Sequence, residues 1–87
     1  MHEASLMNGL MSKIQSIAET EQAKQVTIVR VWLGALSHMS AEHFQEHFDH
    51  SSKDTIAEGA ELEIDLSTDL TDHNAQELLL RSIEIET

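Results

Sequence analysis

The 87 residues contain no cysteine and no proline, and glycine occurs 3 times. Aromatic side chains are confined to Trp32, Phe44 and Phe48, and only 5 Lys and Arg stand against 16 Asp and Glu. Without cysteine there are no disulfide staples, thiolate nucleophiles, zinc ribbons or iron–sulfur ligation within this sequence. A net charge of −11 with neutral histidines opposes binding to phosphate backbones and anionic membrane surfaces, so neither nucleic acid nor membrane is an expected partner. No apolar run approaches the roughly 20 residues of a membrane span. Met1-His2-Glu3-Ala4 lacks the basic stretch and apolar run of a secretory signal, which leaves a cytoplasmic address as the expectation. What is present is 40% apolar and mainly aliphatic, enough for one small domain with a thin core. The charge balance points instead to basic surfaces or metal cations.

Leu6, Leu10, Ile14, Ile17 and Ala18 recur at three- and four-residue steps, with Met7 and Met11 beside them, which predicts an amphipathic helix over 4–20. Residues 26–36 are β-branched and apolar on both parities, the pattern of a strand covered on much of both faces. Arg30 interrupts one parity and is expected near an edge or beside a carboxylate. Ser40 is a candidate N-cap for a second helix that sets Ala41, Phe44 and Phe48 on one side, with Glu42 in its first turn. Leu62, Ile64 and Leu66 alternate with Glu61, Glu63 and Asp65 in a half-buried strand. Residues 67–74 read as a polar loop, and 78–86 as a closing strand with Ile83 and Ile85 inward. The order α-β-α-β-β predicts an α/β (α+β) fold: two helices on one face of a small three-stranded mixed sheet, the first two strands parallel and the last pair antiparallel. Strand order is left open by this pattern. A sheet this small presents an edge that a second copy could pair with, so a homodimer is compatible with the sequence.

Two histidine features carry metal chemistry. His2 is too bulky for efficient removal of the initiator methionine, so a free amine on Met1 is expected. That amine, the His2 backbone nitrogen and the His2 Nδ1 can close adjacent chelate rings, and the Glu3 backbone nitrogen completes a planar set of four nitrogens. Such a field suits Ni(II) or Cu(II) over tetrahedral Zn(II), and it does not separate nickel from copper. The competing reading of His2 and Glu3 is a frayed terminus. The second feature is the run from His43 to His50, in which His43, His47 and His50 fall within roughly 60° on one helical face. Helical histidines four apart can chelate one ion, and His38 in the preceding loop could add a donor. The competing reading is a solvated polar face. No phosphate-binding glycine loop, nucleophile elbow or ordered Ser-His-Asp set is present, so the chain does not read as an enzyme.

Four segments in order resemble the HypA/HybF family of hydrogenase nickel-incorporation proteins: Met1-His2-Glu3 followed by Ser5-Leu6, then 31–37, then 57–64, and finally 82–86. The resemblance spans nearly the whole chain and implies a single nickel-binding domain over 1–87. It further implies a metallochaperone that holds Ni(II) through Met1, His2 and Glu3 and helps deliver it to [NiFe] hydrogenase during maturation. The implied partners are a HypB-like GTPase and the precursor of the hydrogenase large subunit. Typical members insert a zinc module with two Cys-x-x-Cys pairs between the last two strands, whereas 67–74 here is short and polar; no structural zinc is expected. Some members place an acidic nickel-site neighbour near the start of the second helix, where this sequence reads Ser37-His38-Met39-Ser40. Either His38 substitutes or the site is of four nitrogens only. His43, His47 and His50 look like an addition that could capture or relay nickel. The alternative function is a metal-free adaptor that docks on the hydrogenase precursor or the maturation GTPase through its acidic surface.

Overall fold

A computed structural model describes residues 2–37 and 39–87, with the backbone alone for His2 and Glu3. The elements follow the order α1 (His2–Thr20), β1 (Gln25–Leu33), α2 (Ala41–Ser52), β2 (Glu61–Leu66) and β3 (Leu78–Glu86). The architecture is the expected α-β-α-β-β arrangement of two helices and a three-stranded mixed sheet.

In α1 the buried stripe is Met7, Leu10, Ile14 and Ala18, while Leu6 and Met11 flank it and Ile17 stays 40% exposed. The helix ends in a Schellman turn: Ala23 N donates to Ala18 O at 2.9 Å and Gln22 N to Glu19 O at 3.2 Å. That closure puts Gln22 at φ 56°, the left-handed conformation in which a β-carbon is disfavoured. Gln22→Gly should therefore stabilise the protein by about 0.5–1 kcal/mol, raising the urea midpoint without changing the slope of the transition. An unchanged or lower midpoint would contradict this account of the turn.

The sheet order is β2-β1-β3, with β1 central. β1 pairs with β2 in parallel from Ile28↔Glu61 to Leu33↔Leu66, and with β3 antiparallel from Gln25↔Glu86 to Leu33↔Leu78. The last two strands do run oppositely, but they are not neighbours, because β3 crosses to the far side of β1. The first strand also stops at Leu33 rather than Leu36. Beyond it the chain continues into bonds with the turn before β3, Gly34 N to Glu77 O at 2.9 Å and Leu36 N to Ala75 O at 2.7 Å.

Val26, Val29, Val31 and Leu33 are buried under the helices with Met7, Leu10, Ile14, Phe44 and Phe48. The opposite face of β1 carries Ile28, Arg30 and Trp32, which are half-exposed rather than covered by a second layer. This corrects the expectation of a strand enclosed on both sides. On that open face Trp32 lies beside Leu79 of β3 and Asp65 of β2.

α2 starts as its residues dictate: Ser40 Oγ accepts from His43 N at 3.1 Å, and Glu42 lies in the first turn. Phe44 and Phe48 are fully buried. After α2, Gly59 at φ 79° makes the sharp entry into β2, a conformation that a side chain would strain. The 67–77 connection is ordered by its own polar groups. Asp69 Oδ1 accepts from Thr71 Oγ1 at 2.7 Å and Thr71 N at 2.9 Å, bonds that hold its carboxyl below the usual carboxylate range. Asp72 Oδ1 accepts from Asn74 N at 2.8 Å.

Candidate metal centre

Both helices begin at one end of the molecule. Ser5, Leu6 and Gly9 of α1 border a small cleft with Leu78 and Leu80, at the start of β3 beside the end of β1. α2 begins just after the same end of β1, across residues 34–40. The start of α1 and His43, in the first turn of α2, therefore share a pole of the fold.

The main expected nickel donors, Met1 and the side chains of His2 and Glu3, lie outside the described residues, as does His38. What is described is the backbone of α1, which begins at His2. The His2 and Glu3 amides thus fall within the first four of the helix, whose N–H groups have no acceptor inside it. A metal that takes those nitrogens would break no helical hydrogen bond.

On α2, His43 and His50 are exposed and His47 is half-buried. The rings of His43 and His47 stand side by side, with centroids 4.9 Å apart and planes at 49°. Among the described residues no group of three or more His, Asp or Glu side chains is arranged to hold a metal ion. The face that the sequence spacing defines is present, and within it the ring contact is a pair. Gln45 Nε2 donates to Asp49 Oδ1 at 2.9 Å, which engages one carboxylate of this helix with the turn before it.

The open sheet face holds a second polar arrangement. Arg30 Nε donates to Glu63 Oε1 on β2 at 3.0 Å and its Nη2 to Glu84 Oε2 on β3, so one guanidinium ties the two outer strands across the central one. The hydrogen bond to Glu84, then that to Glu63, holds the Arg30 pKa above its ordinary value. A register shift between Arg30↔Ser82 and Val31↔Leu80 leaves Arg81 as the extra residue of a bulge. Arg81 Nη1 reaches Asp65 Oδ2 at 3.4 Å. A shallow hollow of about 450 Å³ lies among Arg30, Glu63, Asp65, Arg81 and Ser82. Of the two places expected for Arg30, near an edge or beside a carboxylate, the second is found, since β1 is the central strand; the bulge that aims Arg81 had no sequence signal.

A model of the family described as hydrogenase/urease nickel incorporation, metallochaperone, HypA matches residues 1–69. The hydrogenase maturation factor HypA of Archaeoglobus fulgidus is 47% identical over 64 residues, which cover 74% of this chain and 58% of that protein. The chain belongs to the HypA family. HypA of Methylocella silvestris is 36% identical over 66 residues, covering 76% of this chain and 58% of the relative. The chain thus matches under three fifths of the length of these HypA relatives. The solution structure of the Ni metallochaperone HypA from Helicobacter pylori superposes with a TM-score of 0.80 at 20% identity, covering 99% of this chain and 98% of that one. At that identity the likeness shows the HypA fold. The HypA family is one of hydrogenase maturation factors and metallochaperones for nickel incorporation rather than of enzymes.

Proposed function

We propose that this chain is a nickel carrier in hydrogenase maturation, taking Ni(II) at its N-terminus through the Met1 amine, the His2 backbone nitrogen and Nδ1, and the Glu3 backbone nitrogen. The observation that carries this reading is the family match, which begins at Met1 and runs to residue 69. The start of α1 supports it, because the two backbone nitrogens sit where helical amides are unpaired. Residues 1–87 form one nickel-binding domain without the cysteine module that would hold zinc. Its partners are a HypB-like GTPase and the hydrogenase large-subunit precursor, met in the cytoplasm. No described helix is long and apolar enough to cross a membrane.

Nickel titration of the untagged chain, followed by absorption spectroscopy, tests the assignment. One tightly bound Ni(II) with a square-planar band is expected. His2→Ala or acetylation of the terminal amine should abolish that band while the far-ultraviolet circular dichroism stays the same. Affinity should also fall as pH drops through the imidazole range near 6.5 and below, since the donors must be deprotonated. Unchanged binding in both modified chains, or a flat response between pH 8 and 5, would defeat the proposal. The metal-free adaptor predicts a different pattern: salt-sensitive binding to the maturation partners that survives His2→Ala.

A further inference from the structure

We propose that His43 and His47 form a second metal site, a two-imidazole chelate on α2 for a hydrated divalent ion of the nickel, copper and zinc group. The inference does not depend on the terminal nickel site.

The geometry of the ring pair is what points to it. An imidazole nitrogen binds these metals at about 2.0–2.1 Å, which sets the ring centre about 3.2 Å from the ion; donor angles between 90° and 109° then set two centres about 4.5–5.2 Å apart. The His43 and His47 centroids are 4.9 Å apart, inside that interval. Their planes are inclined by 49°, so the rings are not stacked flat against each other. The pair is also held in place from beneath. His43 N is the group that Ser40 Oγ caps, and Phe44, its neighbour, is fully buried; Phe48 follows His47 in the same way. The backbone that carries both rings is thereby anchored by a cap and two core aromatics, so the ordering left for an ion to impose is that of the two imidazole side chains.

The surroundings suit a cation that keeps part of its water. A shallow hollow of about 270 Å³ is bordered by Ser40, Glu42, His43 and Glu46, and both glutamates are exposed. The positive end of the α2 dipole opposes a cation here, and these two carboxylates act against it. With two protein donors the remaining positions fall to water, which makes the site exchangeable and weaker than a closed three- or four-ligand site. His50, although on the same face of α2, is not needed for this geometry.

The test uses the full chain carrying His2→Ala and an acetylated N-terminus, which removes the terminal nitrogens. Zn(II) and Ni(II) are titrated separately by calorimetry, with the imidazole resonances followed by NMR. One ion per chain is expected, with Zn(II) shifting and Ni(II) broadening the His43 and His47 signals first. Adding His43→Gln or His47→Gln should weaken binding by about 10-fold or more, because the second arm of a chelate acts at high effective concentration. His50→Gln should change it by less than about 2-fold. Saturating Zn(II) should raise the melting temperature of the His2→Ala chain and not that of the His43→Gln derivative. No binding in the blocked chain, or equal weakening by His50→Gln, would overturn the site. Loss of the square-planar band on blocking the terminus, with the NMR response of His43 and His47 intact, separates this inference from the terminal one.

Discussion

Gly34→Ala is expected to destabilise the protein by about 2–4 kcal/mol and lower its melting temperature by about 10–30 °C. A β-carbon at residue 34 would stand 2.2 Å from Ala75 O, 2.4 Å from Ala75 C and 2.7 Å from Asn74 O. All three are main-chain atoms, so no rotamer change relieves the overlap. Either β1 or the 74–77 segment must withdraw, and that breaks Gly34 N to Glu77 O and Leu36 N to Ala75 O. Each such bond contributes about 1 kcal/mol net, and Ala75, only 4% exposed, would lose its burial as well. The expected loss is a large share of the total, since 87 residues at about 0.05–0.15 kcal/mol each give about 4–13 kcal/mol. Thermal melting by circular dichroism checks the size of the effect, and amide exchange at Leu36 checks its place. A melting temperature within about 3 °C of the parent would show that the 67–77 connection yields freely.

That contact also explains how a short polar connection takes the position between β2 and β3. Its Asx-type bonds at Asp69 and Asp72 order it locally, and the clamp at Gly34 fixes it to the end of the central strand. The connection is folded onto the same end of β1 from which α2 departs. It therefore braces the end of the fold at which α2 begins.

Periodicity made α1 legible, because a helix with one buried stripe repeats its apolar residues wherever it is placed. Its limit shows at Ile17, which follows the same spacing yet lies at the shoulder of the stripe and stays 40% exposed. For β1 the two-sided apolar pattern was real but its cause was different. One parity meets the helices, while Ile28 and Trp32 of the other parity lie half-exposed on the open face on either side of Arg30, with no further layer of secondary structure over them. Alternation reports which face a side chain takes and not which strand lies beside it, so the β2-β1-β3 order had no signal. The need for glycine at 34 had no sequence signal, because it comes from the backbone of Asn74 and Ala75, which approaches from 40 and 41 positions further along the chain. On the metal side, the spacing of His43, His47 and His50 was legible as a shared face. Which two rings meet depends on side-chain rotamers, which spacing along a helix does not fix.

The second large effect is expected at Phe44, which is fully buried on the core side of α2. Phe44→Ala should cost about 3–5 kcal/mol, enough to leave a substantial unfolded population at moderate temperature; Phe44→Leu should cost less because it refills part of the volume. α2 has 12 residues, and a helix of that length is marginal in water once its packing is lost. The two candidate metal sites should then part company. The His43–His47 pair exists only while α2 holds both rings on one face, so its affinity should fall with the folded fraction. The terminal set proposed above would use consecutive residues, Met1, His2 and Glu3, and need no tertiary contact, so its square-planar nickel band should persist in Phe44→Ala at temperatures where the circular dichroism shows unfolding. Titrating Ni(II) into this variant above and below its melting temperature measures the separation. If the square-planar band disappears together with the fold, the terminal nitrogens are insufficient, and a donor brought in by the folded chain must complete the site.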